Sequence, residues 1–588
     1  MILQALTSLY EALAPKGEVP KEGWSREKIS FALGIDENGD LLRITPLFKP
    51  GDMPKGKKKE EPQEMTVPAA VKRTSGAAAN FLWDNSSYIL GVSLKKGEDD
   101  AEREKQRNKD IKCFEACREL HHSMLDGMEY PAAKAVLNFL DKWEPQKAEE
   151  NNLVAQYAKE ILSGANMVFR FNGGYVHDDP QLVSVWQKAN AKQKDNIGQC
   201  LVTGALDEIQ NTHPTIKGVQ GAQSSGAALV SFNASAFCSY NKEQNQNAPV
   251  GKYAAFAYTT ALNHLLKDRK NVHRIGDAAV VCWAENADKQ YEDFAAEVFF
   301  GDNVDKSDEQ RLSALRTSLK LLADGLPCKE MDLDPDRKFY ILGLSPNAAR
   351  LAVRFFYCDS FGKIAGNIYK HHERLEIVRP SYDKFPILPL WKLLSATVNP
   401  NAKDKTPNAA MAGAVARAVF SGGRYPASLL ECTFLRIKAE RNITRERAAI
   451  IKAYYLRNPN EKCPKEVLTV SLNENSKNIP YTLGRLFSVY EEIQQAANPG
   501  INTTIKDRYF GSAAAMPATV FPILSNLAQK HLRKLSDAQR VYLDKKVMTL
   551  KSVLGEQYPA HMSLPEQGSF DLGYYHQTQA RYTKKEDK

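Results

Sequence analysis

Residues 29–48 constrain the fold more than any other stretch of the chain. Ile29, Phe31, Leu33 and Ile35 alternate with period two, Asp36-Glu37-Asn38-Gly39 interrupts them, and a second strand-like run spans Leu41 to Phe48. Such alternation buries one face of a sheet, and Asn-Gly supplies the positive φ angles of a tight hairpin. A second hairpin is expected at Met167–Val176, where VFRF and YVH flank Asn172-Gly173-Gly174. AAVVCW (278–283) and KFYILGL (338–344) add further strands. Ahead of them, Leu3, Leu6, Leu9, Tyr10 and Leu13 share one face of an amphipathic helix.

Beyond about residue 345 helical signals dominate. Ser345-Pro346 offers an N-cap with proline at the first helical position, which predicts a helix through NAARLAVRFF. Another long helical pattern spans 426–457, a polar break follows in EVLTVSLNENSKNIP, and a helical stretch runs from Tyr481 to about Gly555. The chain reads as α+β. A mixed α/β domain with hairpins covers 1–345, a helical connecting domain covers 346–470, and a C-terminal helical bundle covers 471–588. Its 588 residues exceed what one hydrophobic core organises, in keeping with several domains. GDMPKGKKKEEPQE (51–64) reads as a solvated loop and GEDDAEREKQRNKD (97–110) as the charged start of a helix.

With 43% hydrophobic and 25% charged residues, the chain can build a packed core, which excludes wholesale disorder. No apolar run reaches the roughly 18 residues of a membrane span, and the opening MILQALTSLYEALAPKG lacks the basic start and small-residue cleavage site of a signal peptide. The expectation is a cytoplasmic protein. Nine scattered cysteines cannot all pair, which favours reduced thiols. The net charge of +9 leans toward an anionic partner, although 70 acidic residues oppose 79 basic ones.

Chemistry-bearing motifs are few. Cys113, Cys117 and His121 repeat every four residues, so on a helix the outer two lie about 12 Å apart along the axis, too far for one zinc ion. They read as a buried helix stripe. His177-Asp178-Asp179 has the look of a metal-dependent phosphohydrolase pair, but Asp179 precedes Pro180 and the amphipathic LVSVWQKA, the pattern of an N-cap. Phosphate loops, dinucleotide fingerprints, nucleophile elbows and zincin motifs are missing from the sequence. No catalytic residue, metal or cofactor is expected.

Four regions suit nucleic acid. In VKRTSGAAANFLWDNSSYILGV (71–92), Lys72 and Arg73 can meet phosphates or base acceptors, while Thr74, Ser75, Asn80 and Asn85 offer short hydrogen-bonding groups above Phe81 and Trp83. The plainer reading is a loop anchored by its aromatics, its basic residues merely solvated. TIKGVQGAQSSGAALVSFN (215–233) places Lys217, Gln220, Gln223, Ser224 and Ser225 on a glycine-rich loop whose N–H groups can approach phosphate. A simple Gly/Ser turn explains the same composition. In the helical half, Arg436, Lys438, Arg441, Arg445, Arg447, Lys452 and Arg457 form one basic cluster, and Lys506, Arg508, Lys530, Arg533 and Lys534 another. Basic helical faces track a backbone without reading sequence, or are solvated with i, i+4 partners.

Longer strings carry a resemblance. MILQALTSLYEAL, GWSREKISFAL, VKRTSGAAANFLWDN, CLVTG (200–204), HPTIKGVQGAQSSGAALVSFN (213–233), NAPV (247–250), LGLSPNAARLAVRFF (342–356), SGGRYPASLL (421–430), LGRLFSVYEEIQQ (483–495) and IKDRYFGSAAAMPATVFP (505–522) together resemble the large subunit of the type I-C CRISPR surveillance complex, Cascade. The resemblance implies an RNA-guided effector in which guide pairing reads the target while protein reads a short flanking duplex motif, the PAM, a division of labour known from another effector. It implies a non-cutting subunit beside the guide RNA and the backbone and guide-processing subunits. Such a subunit contacts PAM duplex DNA, starts strand separation (the R-loop) and helps recruit a separate helicase-nuclease. It further implies that the region from about 470 is also translated alone as small-subunit copies. No methionine stands at the break after Pro464, so that start would need a non-AUG codon.

Carried onto this sequence, PAM contact falls to Lys72, Arg73, Thr74, Ser75 and Asn80, with Lys217, Gln220, Gln223, Ser224 and Ser225 as a second loop. Arg436, Arg441, Arg508, Lys530, Arg533 and Lys534 would hold the non-target strand. The competing readings are a metal-dependent nuclease built on His177, Asp178 and scattered carboxylates, and an assembly protein that touches only other proteins.

Overall fold

A computed structural model describes residues 1–50, 60–71, 73, 76–94, 100–191, 196–301 and 309–582. The chain is α+β, and its contacts divide it into two compact units. One takes residues 3–214 and 231–261; the other takes 215–230 and 262–588. Neither 345 nor 470 separates these units.

In the first unit, the expected hairpin is present. Phe31–Ile35 pairs antiparallel with Leu41–Pro46, in register Leu33↔Ile44, and parallel with Asn166–Phe171 on its other edge. Trp83–Asn85 completes the sheet path, and Gly174–Tyr175 folds back on Asn166–Phe171 through Asn172 and Gly173, both at positive φ. Gly39 is required twice over. Its φ is +80°, and a Cβ there would meet the Phe139 backbone nitrogen and lie 2.8 Å from Asn138 O. Glu60–Pro68 is a strand between Trp24–Ile29 and Phe48–Pro50. It overlaps the end of the stretch read as a loop; residues 51–59 lie outside the described residues. The helices Asp100–Leu125 and Pro131–Lys142 bring Cys113, Phe114, Cys117, Val136 and Phe139 into the core beneath the sheet.

The second unit contains a four-stranded antiparallel sheet in the order His273–Ile275, Ala278–Ala284, Lys338–Asn347, Arg350–Ser360. The last strand corrects the sequence reading, which predicts a helix at 346–356. Asn347 pairs with Arg350 across a turn with Ala348 at φ +52°, and the aromatic-rich LAVRFFY run zips onto the preceding strand. The helix comes later, at Phe361–Leu375.

Helices then dominate, as expected. The 426–457 pattern is two helices, Ala427–Glu440 and Arg445–Arg457. Arg441 leaves the first in the left-handed region at φ +51°, and the Thr444 hydroxyl caps the second. Ile479–Ala497, Ile505–Ala515, Pro517–Leu532, Asp537–Lys551 and Leu564–Ala580 follow. The last is buried all round from Gln567 to Gln577. Its Tyr575 hydroxyl donates to Val378 O (2.7 Å) and its Ser569 hydroxyl to Lys462 O (3.1 Å), so it is tied to segments before residue 471. No helix among the described residues is long and apolar enough to cross a membrane.

Candidate nucleic-acid interface

The first candidate loop is built around one carboxylate. Asp84 is buried in the strand Trp83–Asn85. It accepts from Arg73 Nη2, from the Asn80 N–H (2.8 Å) and from the Asn85 N–H (2.7 Å). Burial pushes its carboxyl up, and the Arg73 guanidinium and the backbone donors pull it back. Arg73 also donates through Nε to Ala78 O (2.7 Å), and its guanidinium lies 3.9 Å from the Tyr88 ring centroid. Asn80 is 3% exposed, and its carboxamide oxygen accepts the Val71 N–H at 2.8 Å. Of two side chains expected to face DNA, Asn80 is therefore buried in the loop, while Arg73 stays exposed at its surface but is tied to Asp84 and Tyr88; both brace the loop. Lys72, Thr74 and Ser75 lie outside the described residues. Below, Phe81 and Trp83 are buried, with Trp83 Nε1 donating to Pro68 O (2.8 Å). Asp84 and Tyr88 escaped the sequence reading; an acid just downstream of Lys72 and Arg73 was the available signal.

His121 supports the same segment from the core. Its Nε2 accepts the Leu82 N–H at 3.0 Å, and its Nδ1 then donates to Cys117 O at 2.7 Å. The ring is neutral, with burial pulling its pKa down to about 4. The Cys113, Cys117, His121 stripe is thus buried core, as its spacing suggested. Asp179 caps the helix Pro180–Ala191, its carboxylate accepting the Gln181 N–H at 2.9 Å. Among the described residues, no group of three or more His, Cys, Asp or Glu side chains is placed to hold a metal ion.

In the second unit, a loop is closed by mutual hydrogen bonds between Ile216 and Ala227 (2.8 and 2.9 Å). Asn263 pins its base, accepting the Lys217 N–H (2.8 Å) and donating to Thr215 O (3.1 Å). Gly218, Gly221 and Gly226 all take positive φ. A Cβ on Gly226 would lie 2.7 Å from the Thr215 side chain, so this close turn excludes larger residues. Lys217, Gln220, Gln223, Ser224 and Ser225 are all exposed. The structure brings these five together on one fixed loop, with Gln220 also accepting from Arg274 Nη1 at 2.9 Å.

The basic helical cluster around 436–457 largely turns inward. Arg445 is buried, donating to Asp383 Oδ2 (2.9 Å), Pro386 O (3.1 Å) and Phe385 O. Arg447 is buried against Glu440 Oε2 (2.6 Å), Ala396 O and Asn442 O. Lys452 caps the helix Phe361–Leu375 through Arg374 O (3.1 Å), and burial pulls its pKa down to about 8. Arg436 is half-buried, 3.6 Å from Glu440 Oε1. Arg441 remains exposed. Of the later cluster, Arg508, Lys530, Arg533 and Lys534 are exposed, with no carboxylate in ion-pair range among the described residues. Lys530 lies in the last turn of Pro517–Leu532, with Arg533 and Lys534 just beyond it, where cations complement the helix dipole.

A family model described as CRISPR-associated protein (Cas_Csd1) matches residues 6–582. The chain belongs to the Cas_Csd1 family. No curated protein matches the sequence. Membership in Cas_Csd1 gives the two exposed features, the 217–226 loop and the cation cluster at 508–534, the context of a CRISPR effector complex.

Proposed function

We propose that this chain is the non-catalytic large subunit of a type I-C CRISPR surveillance complex acting in the cytoplasm. In this reading it sits with guide RNA and with backbone and guide-processing subunits, reads the PAM in duplex target DNA and begins strand separation. It holds the displaced strand and helps recruit a separate helicase-nuclease. The observation that carries the reading is the 217–226 loop, where five hydrogen-bonding side chains stand exposed on a base fixed by Asn263. That is a surface preorganised for a polar, anionic partner. In the 71–80 loop, Lys72, Thr74 and Ser75 are the contacting residues, while Arg73 and Asn80 hold its shape. Arg441, Arg508, Lys530, Arg533 and Lys534 supply phosphate contacts for the displaced strand, with Arg436 a lesser contributor because of Glu440.

The test is duplex binding by the co-expressed complex, with intact and scrambled PAM, against the same complex lacking this chain. PAM-dependent binding should vanish only without the chain, while single-stranded target still binds by pairing. Equal discrimination with and without it would move PAM reading to another subunit. Incubating the purified chain with DNA and magnesium or manganese should leave the DNA intact; cleavage would replace this reading with that of a nuclease.

A further inference from the structure

We propose that Tyr240 is a stacking platform for an unpaired nucleobase. The inference rests on the nucleic-acid reading above and assigns it a residue in a segment that reading does not use. Tyr240 is 95% exposed. It is the second residue of a turn closed by Lys242 N–H donating to Ser239 O at 3.0 Å. Both central residues, Tyr240 at φ +53° and Asn241 at φ +57°, lie in the left-handed region. That is the signature of a type I′ turn, which favours Gly, Asn and Asp. A bulky tyrosine there is a backbone outlier, and such strain concentrates at functional sites.

The surrounding loop is built to hold the turn. Asn247, the first residue of the NAPV string, uses its whole carboxamide on it. Its oxygen accepts the Ser239 N–H (2.9 Å), and its nitrogen donates to Lys242 O and Gln244 O (both 2.9 Å). Asn245 is buried beneath and donates to Gln210 O at 2.6 Å. Glu243 and Gln246 close a reciprocal capping box around the short turn between them. The ring is therefore displayed by a fixed scaffold, not left on a loose loop.

The chemistry around the ring selects the occupant. Phe237, 43% exposed, is the other large apolar side chain of the loop. Ala234 and Ala236 are exposed as well, and the other exposed neighbours are polar, among them Ser239, Asn241, Lys242 and Glu243. A protein partner would bury a larger contiguous apolar group, whereas a fully displayed tyrosine ring with one half-exposed phenylalanine, set among hydroxyls, amides and an ammonium, matches a nucleotide. The ring takes the base face, Ser239 and Asn241 reach its edge, and Lys242 meets the phosphate. Glu243 opposes close approach of a second phosphate on its side.

The test uses the full chain in its guide-loaded complex and alone, with labelled single-stranded RNA and single-stranded DNA as probes. Tyr240→Ala should weaken binding of one probe about tenfold, within the range for losing one stacked base. The salt slope should not change, because no phosphate contact is removed. Tyr240→Phe should retain affinity and Tyr240→Leu should not. Asn247→Ala, which frees the turn without removing the ring, should weaken binding in the same direction. Wild-type affinity in Tyr240→Ala, or full rescue by Tyr240→Leu, would overturn the assignment while leaving the nucleic-acid reading intact. Failure of the wild-type chain to bind either probe in either setting would remove both. Loss confined to the RNA or the DNA arm identifies the strand that supplies the base.

Discussion

The guanidinium of Arg73 lies between the buried carboxylate of Asp84, to which it donates, and the ring of Tyr88, 3.9 Å from its centroid. A basic residue in a loop suited to DNA is thus already engaged on both sides. Arg73→Ala strands a buried carboxylate. Because the Arg73 side chain is 29% exposed, the expected loss is about 2–3 kcal/mol, below the range for breaking a fully buried pair. Urea denaturation checks this. Unchanged stability with weakened duplex binding would make Arg73 a direct contact instead.

The helices Ile479–Ala497 and Leu564–Ala580 touch backbone to backbone. A Cβ on Gly484 would overlap the Phe570 carbonyl, and one on Gly573 the Tyr481 carbonyl. Gly484→Ala or Gly573→Ala must force the helices apart, with an expected cost of about 4 kcal/mol or more. Gly511 in the helix Ile505–Ala515 has nothing within 4 Å of a Cβ. Gly511→Ala should therefore raise stability by about 0.5–1 kcal/mol. Thermal melts of the three variants separate close packing from helix propensity.

Much of this fold was legible from local chemistry, and the exceptions share a cause. Asn38-Gly39, Asn172-Gly173 and Asp179-Pro180 specify their turns and caps through φ angles and side chains within a few residues. Residues 350–356 were misread because Ser345-Pro346 mimics a helix start, while the deciding partner is the strand Lys338–Asn347. Charge was misread for the same reason. Arg445 counts toward a basic face until Asp383, 62 residues earlier, is seen to bind it. Sequence shows where cations are, not whether a distant carboxylate has buried them. The Tyr240 turn was hidden because its pin, Asn247, stands eight residues from Ser239, whose N–H it accepts, and acts only through side-chain contacts.

Acid should loosen the first unit through His121. Its pKa falls from the ordinary value near 6.5 to about 4 because the ring is buried and neutral. The unfolded chain therefore binds a proton that the folded chain refuses between those values. The resulting stabilisation is complete above about pH 6.5 and disappears as pH falls toward 4, amounting to about 3 kcal/mol at most. His576, pulled down to about 3, acts in the same direction in the second unit. Melting temperatures at pH 7.5, 5.5 and 4.5 should fall in that order. His121→Leu should lower stability at neutral pH, since the Leu82 N–H loses its acceptor, and flatten the slope. A variant with the wild-type slope would show that other groups carry the acid sensitivity.

The C-terminal region offers the sharpest test of separate small-subunit copies. A fragment of residues 471–588 retains the pairing of Ile479–Ala497 with Leu564–Ala580, including Tyr574 Oη donating to Glu491 (2.6 Å) and the Tyr481–His576 contact at 3.0 Å. It loses Val378 and Lys462, which accept from Tyr575 and Ser569. It also loses Tyr455, Ile451 and Phe434, which pack against Gly568. One face of a helix buried all round in the full chain would then meet water. Expressed alone, the fragment should be helical but should bind a hydrophobic dye and self-associate, and added backbone subunits should suppress both. A monomeric fragment with no dye binding would mean that the bundle repacks to cover that face by itself. Failure to acquire helical structure even with the subunits present would argue that this region exists only as part of the full chain.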